Sequence, residues 1–561
     1  MKLEDLSSKE QLLNDFFTWL FDDKRVVNKE IQLEKEVDIS LAPFYLDPNI
    51  YFPKQFKSFF ETKAMQRLGK VSQVSLAVDL HSNLYHNRLE HSKGVYYRKL
   101  EEMVYNFQNP EWMKKVEKEN LKLSLIAELI KMAGHDIGHF PLSHVMEEQL
   151  YTSHGAHEII GKRIMLEDSE INQVLSKISP ELPNTLKELY ENNIWNFHEH
   201  DESNYDVDRL DYLQRDNLYY GTPIHLPNLT YETIGVEVDS DNNPKRNSDG
   251  SIKKSDSLDN SIDVYDFESL HDIEYFLKLR ENGYKDKIYM VPYCHVREST
   301  IGIFLKAFLE KPSNCGKELR NYITTLQNQK IEDVDLNLIL EWDDIKFYSE
   351  IFDIAENHED QNIRQLATLT IPKLSGFLNT LYSYLNLKDK NISYSESEKN
   401  LLKKVKHVIC GNDELSKDLK DADFIKNNTL FLENVNGVCF DKRFQNLLTQ
   451  NLLLKQNTTI RSYNPKEPIY IKSSDGKIYD LAHHPERKCD WDTKTSTLQN
   501  IYTYIPYLRY CGLSEDKIDF IRSNFSKMGQ QFNPPTHAYT VNMQPLKVGN
   551  SFKKVFDELE L

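Results

Sequence analysis

Apolar residues recur every three to four positions through most of the stretch from about Phe52 to Asp389, the period of helices that bury one face. The run Leu121–Ala133 (LKLSLIAELIKMA) is the plainest of these. It is apolar on nearly every side, which predicts a buried helix, and Gly134 stops it. Residues 1–50 mix alternating charge with short apolar patches such as Phe16-Phe17-Thr18-Trp19-Leu20 and predict a helical lead-in. Two polar stretches break the pattern. Residues 239–260, rich in Asp, Asn, Ser, Lys and Gly, predict a solvated insertion or hairpin loop, and residues 388–399 place the main domain boundary. Beyond that boundary, Thr429–Leu432 and Pro468–Lys472 look like strands, the second leading through the turn residues Ser473–Lys477 into Ile478-Tyr479. The expected fold is mainly α, with a lead-in over 1–50, a helical domain over 51–390 and a smaller mixed α/β region over 391–561. No internal repeat or low-complexity tract is evident.

The 561 residues suffice for one large core with one or two appended units. With 69 basic against 87 acidic residues the formal charge is -18, which argues against nucleic acid as the main partner, because phosphate backbones demand a clustered basic face. A local basic pocket for a single nucleotide remains compatible with that charge. The six cysteines lie far apart and form no Cys-x-x-Cys pair, so neither a disulfide framework nor a thiolate zinc site is expected. Met1-Lys2-Leu3-Glu4-Asp5 carries no apolar signal core, and no apolar run approaches the ~18 residues of a membrane span. These features predict a cytoplasmic protein with no membrane partner.

Four positions carry the candidate chemistry. His91, the pair His135-Asp136, and Asp208 supply imidazole and carboxylate ligands of the kind that hold a divalent ion while leaving positions open for water and a phosphate. Such ligands accept magnesium, manganese, iron, cobalt or zinc. His139 and His144 follow the pair, and Pro141 suits a first helical turn. His144 and Glu147, three apart, share a helical face fitted to proton transfer with an orienting carboxylate. Asp208, Tyr212 and Asp216 are spaced i, i+4, i+8, so one face would present a ligand, a ring and a second carboxylate, able to hold a sugar beside a phosphate.

The surrounding residues read His86-Asn87-Arg88-Leu89-Glu90-His91-Ser92, then Gly134-His135-Asp136-Ile137-Gly138-His139-Phe140-Pro141-Leu142-Ser143-His144, then Asp206-Val207-Asp208-Arg209-Leu210-Asp211-Tyr212. In that order they resemble the HD-domain superfamily of metal-dependent phosphohydrolases. Within it they are similar to the deoxynucleoside-triphosphate triphosphohydrolases, the bacterial dGTPase-like and the SAM-and-HD-domain dNTPases. The resemblance covers about residues 60–300 and implies an HD-domain helical core and a homo-oligomer, tetramer or hexamer, built from dimers. It implies that Arg88 grips the triphosphate and that His157 joins the catalytic histidines, His154 being the alternative. It further implies that Tyr212 closes the space beside C2′, that Asp216 accepts from the 3′-hydroxyl, and that Gln73 contacts the deoxyribose. Arg209 and Arg280 would bind phosphate, and Tyr284 or Tyr289 would flank the base or phosphate. Gly69 stands where the SAM-and-HD-domain enzymes place a basic residue that reads an activating guanine nucleotide, so that activation is not implied.

The leading expectation is hydrolysis of a dNTP to a deoxynucleoside and inorganic triphosphate, in control of the dNTP pool or in antiviral defence. One alternative keeps the site but changes the substrate to a monophosphate, a cyclic nucleotide or guanosine tetraphosphate. Another is a non-catalytic nucleotide-sensing scaffold.

Overall fold

A computed structural model describes residues 3–22, 31–38, 49–79, 83–108, 113, 121–151, 155–192, 205–227, 229, 231–257, 260–282, 292–311, 313–371, 382–384, 454–460, 463, 468–488, 496–502 and 514–516. Contacts within the chain divide it into two units. The first takes Met1–Gly283, Tyr322–Phe347 and Arg461–Lys494; the second takes Tyr284–Asn321, Tyr348–Ile460 and Thr495–Leu561. The boundary expected over 388–399, the strand expected at 429–432, and Tyr284, Tyr289 and His154 all lie outside the described residues.

The chain is mainly α. It opens with α1 (Leu3–Phe21), β1 (Leu33–Val37), β2 (Asn49–Pro53), α2 (Lys54–Phe60) and α3 (Lys63–Leu68). Next come α4 (Arg88–Phe107), α5 (Leu121–Ala133), α6 (His144–Leu150), α7 (Ala156–Glu167), α8 (Ser169–Ile178), α9 (Leu182–Asn192) and α10 (Val207–Tyr219). The lead-in is therefore not helical throughout: β1 and β2 pair antiparallel, Leu33 opposite Pro53. Aromatic and β-branched residues at Ile50-Tyr51-Phe52 favour that pairing, and all three are buried.

α5 is the buried helix that its apolar run predicts, with Leu121, Leu123, Leu125, Ile126, Leu129, Ile130 and Met132 inside. It packs on α4 and α9, and α4 also packs on α10. The site sits where these elements meet, and a side-chain cap starts two of them, α4 and α10. Asn87 caps α4 by accepting from Glu90 N at 3.0 Å, and Asp206 caps α10 by accepting from Arg209 N at 2.7 Å. The turn after α5 requires Gly138, because a Cβ there would stand 2.1 Å from the His157 carbonyl oxygen and 2.4 Å from Gly161 N. Backbone meets backbone at that point, so the His-Asp turn and α7 can approach only through a glycine.

After α10 the first unit builds a small sheet from β3 (Tyr231–Gly235) and β4 (Ser261–Tyr265), then α11 (Leu270–Asn282). The intervening polar insertion is looser than a sheet but paired: bridges join Val236 to Lys254, Val238 to Pro244 and Arg246 to Ile252. Ile252 anchors it by packing with Val236, Val264, Tyr470 and Ile478. Helices α12 (Pro292–Glu310), α13 (Lys317–Asn328), α14 (Leu336–Leu340), α15 (Asp344–Asn357) and α16 (Gln361–Thr370) follow. The remaining described strands are β5 (Tyr382–Tyr384), β6 (Leu454–Ile460), β7 (Tyr470–Lys472), β8 (Ile478–Asp480) and β9 (Ser496–Tyr502). In the first unit β7 and β8 form the expected hairpin and complete the order β3-β4-β7-β8, with β7 parallel to β4. In the second unit α12 packs on α16, and the strands run β5-β9-β6, antiparallel throughout.

Candidate active site

α4, the turn after α5, and α10 bring His91, His135 and Asp208 together, with one potential ligand atom from each lying within 4.8 Å of the others. His91 Nε2 lies 2.9 Å from Asp208 Oδ1, and His135 Nε2 lies 3.4 Å from the same oxygen. Asp136 stands beside them, with Oδ1 3.3 Å from His135 Nε2 and Oδ2 3.8 Å from His91 Nε2. Its carboxylate is also held by Arg88 Nη1, which donates to Oδ2 at 2.5 Å, and by His139 Nε2, 3.1 Å from Oδ1.

The histidines are set for a cation. His135 Nδ1 donates to the Met132 carbonyl at 2.9 Å, and His91 Nδ1 donates to Asp211 Oδ2 at 2.8 Å. A carbonyl or carboxylate there fixes the proton on Nδ1 and turns Nε2 inward, as metal-binding imidazoles require. His135 Nε2 is buried without a hydrogen-bond partner. An orphaned buried acceptor beside two carboxylates is costly unless a cation fills the space, so the residues present fit a divalent ion. Burial works to lower the His91 pKa, yet hydrogen bonds to Asp208 and Asp211 carry it up to about 10. The pocket between the carboxylates thus favours positive charge.

Asp211 supports this arrangement from behind. Arg215 Nε and Nη2 donate to its two oxygens at 2.8 and 3.0 Å, and Arg215 Nη1 reaches Asp38 at 3.2 Å. This ion pair of Asp211 and Arg215 also orients a proposed ligand, which the sequence did not reveal. Room for it comes from Gly94, where a Cβ would fall 2.0 Å from Asp211 Oδ1.

A second cluster adjoins through His139. His139, His144 and His157 also place ligand-type atoms within 4.8 Å, and the His139 and His157 rings stack at 4.1 Å. Glu147 organises them. Its Oε2 accepts from His144 Nδ1 at 3.0 Å, while Oε1 accepts from Gly155 N, His157 N and His157 Nδ1 at 3.0, 3.1 and 3.0 Å. The Glu147 side chain is fully buried, which by itself raises its pKa, but the bonds from His144 and His157 hold it well below the usual carboxylate range. His139 is kept neutral, its pKa depressed by burial and by the Arg88 and His157 charges. His144 is 57% exposed at the side chain and is the member open to a reacting group.

The other expected residues divide. Tyr212 sits beside His91, ring centroids 6.5 Å apart. The Gln73 side-chain oxygen is buried with no hydrogen-bond partner, and Gln73 N donates to the His86 carbonyl at 3.2 Å. Asp216 is 1% exposed, and His86 Nε2 donates to its Oδ1 at 2.6 Å, an engagement with no local signal in the chain. Arg209 pairs with Asp206, and Arg280 also bears on Asp206, whose pKa burial raises to about 7 against these two arginines.

No protein-family model matches the chain. It is 33% identical over 214 residues to a putative HD domain-containing protein of Acanthamoeba polyphaga mimivirus, covering 33% of this chain and 44% of that one. It is 35% identical over 164 residues to the uncharacterized protein YwfO of Bacillus subtilis, covering 28% of this chain and 35% of YwfO. The chain thus spans less than half the length of either relative. Among solved structures, a phosphohydrolase from Bacteroides thetaiotaomicron superposes with a TM-score of 0.56 at 18% identity, over 84% of this chain and 100% of that one. The two share a mainly helical fold. The His-Asp cluster of this chain is compatible with a divalent metal. Among the described residues, no helix is long and apolar enough to cross a membrane.

Proposed function

We propose that the chain is a metal-dependent phosphohydrolase that converts deoxynucleoside triphosphates to deoxynucleoside and inorganic triphosphate. The convergence of His91, His135 and Asp208 around the unpartnered His135 Nε2 carries the reading. The HD-domain relative from mimivirus and the Bacteroides phosphohydrolase support the same class of chemistry. A divalent ion held by His91, His135, Asp136 and Asp208 would supply Lewis acidity toward a phosphoryl oxygen. Arg88, its Nη1 and Nε held by Asp136 and Ser143, turns the rest of its guanidinium to the phosphates, assisted by Arg209 and Arg280. Water adds at the α-phosphorus and the bond to O5′ breaks. His144, its Nδ1 held by Glu147, gives the departing O5′ a proton from Nε2. The neutral His139, stacked on His157, shapes the wall beside it.

The test is a panel of dNTPs, NTPs and monophosphates with magnesium or manganese, the products separated by anion exchange. Inorganic triphosphate from dNTPs is expected. Orthophosphate released from monophosphates alone would reject the substrate assignment. One observation favours the second reading, a phosphohydrolase acting on another nucleotide: Asp216 is buried and already accepts from His86, so a 3′-hydroxyl must share that carboxylate.

Sugar choice separates the two readings. With Tyr212 beside C2′, a ribonucleotide must displace the ring or bind with its phosphate out of line, and a misplacement of ~1 Å costs about 10²-fold in rate. Deoxynucleotides are therefore expected to exceed ribonucleotides by about that factor in kcat/KM. Tyr212→Ala should erode the preference without removing metal. Equal rates on both sugars in the unaltered protein would transfer the assignment to the second reading.

A homo-oligomer built from dimers is also expected. Light scattering under turnover conditions checks it, and a strictly monomeric active species would refute it.

A further inference from the structure

The strand of backbone that delivers His144 is held by a residue two hundred positions away. Leu142 and Ser143, immediately before α6, both have φ of +55°, and Ser75 has φ of +49°. Non-glycine side chains disfavour that region, so such conformations persist only where neighbours impose them. Asp344, at the start of α15, supplies the constraint. Its Oδ1 accepts from Leu142 N at 2.7 Å and its Oδ2 from Ser72 N at 2.9 Å, while its own N–H donates to the Lys70 carbonyl at 3.2 Å.

The adjoining bonds reinforce the same junction. Ser75 Oγ donates to the Leu142 carbonyl at 2.8 Å, and Arg88 Nε donates to Ser143 Oγ at 2.8 Å. Arg67 spans from the Trp342 carbonyl, at 3.0 Å, to the Ile137 carbonyl in the His-Asp turn, at 2.7 Å. The segment 342–344 therefore grips both the loop carrying Gln73 and the loop carrying His139 and His144.

We propose that Asp344 is a positioning residue, one carboxylate that locks the Ser72–Gln73 loop to the strained Leu142–Ser143 entry of α6 and so sets His144 against the substrate. The proposal rests on the reading of His144 as proton donor in a phosphohydrolase. Asp344 touches neither the proposed metal ligands nor the reacting atoms. Its effect passes through backbone that must hold His144 to within about 0.5 Å of its working place.

Asp344→Asn replaces one acceptor oxygen with an NH2 that faces an N–H donor, so one bond is lost and the junction tied by the shared carboxylate loosens on both sides. The expected result is a kcat lowered about 10²-fold, the cost of ~1 Å of misplacement, with metal content unchanged. Amide hydrogen exchange measured without nucleotide should become faster in the peptides containing Ser72 and Leu142, while α4 and α5 keep their protection. Asp344→Glu, which retains both acceptors, should recover part of kcat. Ser75→Ala loosens the same junction more gently and should lower kcat in the same direction. It serves where Asp344→Asn does not fold.

Unchanged exchange at both peptides, faster exchange at only one, or faster exchange with full kcat would each overturn the proposal. Failure of the unaltered protein to hydrolyse any nucleotide would instead reject the phosphohydrolase reading, and the exchange measurement would still judge the lock.

Discussion

His135→Ala combined with Asp136→Asn is expected to abolish hydrolysis while leaving the helices intact. The pair lies in the turn after α5, outside the helical hydrogen bonds, so circular dichroism should be unchanged. The metal's charge stabilisation in a transition state is worth several kcal/mol, and ~4 kcal/mol corresponds to about 10³-fold in rate. A rate reduction of at least that size is expected, together with loss of bound metal. A second measurement needs no substrate. An ion that binds the folded state stabilises it by ~2.7 kcal/mol at a hundred times Kd, so metal should raise the Tm of the unaltered protein and leave the double variant where it was. Full turnover by the double variant would end the case for this site.

Glu147→Gln is expected to give the largest loss of stability. The carboxylate takes four hydrogen bonds in a fully buried place, two of them from backbone N–H groups of Gly155 and His157. Glutamine keeps one acceptor oxygen and aims an NH2 at donors. Leaving buried donors unmatched and removing the charge should cost about 3 kcal/mol. The pH dependence follows from the depressed pKa of Glu147, whose ordinary value is 4.5. A carboxyl whose folded pKa lies below its unfolded one contributes stability fully above the unfolded value and loses it as pH falls toward the folded one. The gap between the unaltered protein and Glu147→Gln should therefore be constant from pH 5 to 7 and narrow below about 4.5, as read by urea denaturation at each pH. A gap that persists unchanged down to pH 3 would show that the charge contributes nothing. Activity should fall too, since His144 loses the group that orients it.

What the chain discloses in advance follows from the distance between interacting residues. Periodicity announces α5 because thirteen consecutive residues carry the whole signal. Spacing announces His144 with Glu147 because both lie within one turn, and the observed 3.0 Å bond joins them. The ligand positions are legible because residue type and flanking motif travel together. Partnerships across the fold are not legible in this way. Nothing near His86 indicates that it will meet Asp216, 130 positions later, and nothing near Leu142 points to Asp344, 202 positions later. The strand pairing within the lead-in was likewise hidden, because β1 is too short and too charged to show an apolar face of its own.

The small sheet of the first unit carries a consequence for how the protein is made. β4 pairs on one side with β3 and on the other, in parallel, with β7, so its second edge is completed by a strand roughly two hundred residues downstream. At ribosomal speeds of ~5–20 residues per second, that edge stays open for about 10–40 s on every nascent chain. An uncovered strand with the sequence Ser-Ile-Asp-Val-Tyr is a ready template for pairing with another chain. Chaperone supply and translation rate thereby become determinants of yield, separate from the stability of the finished molecule.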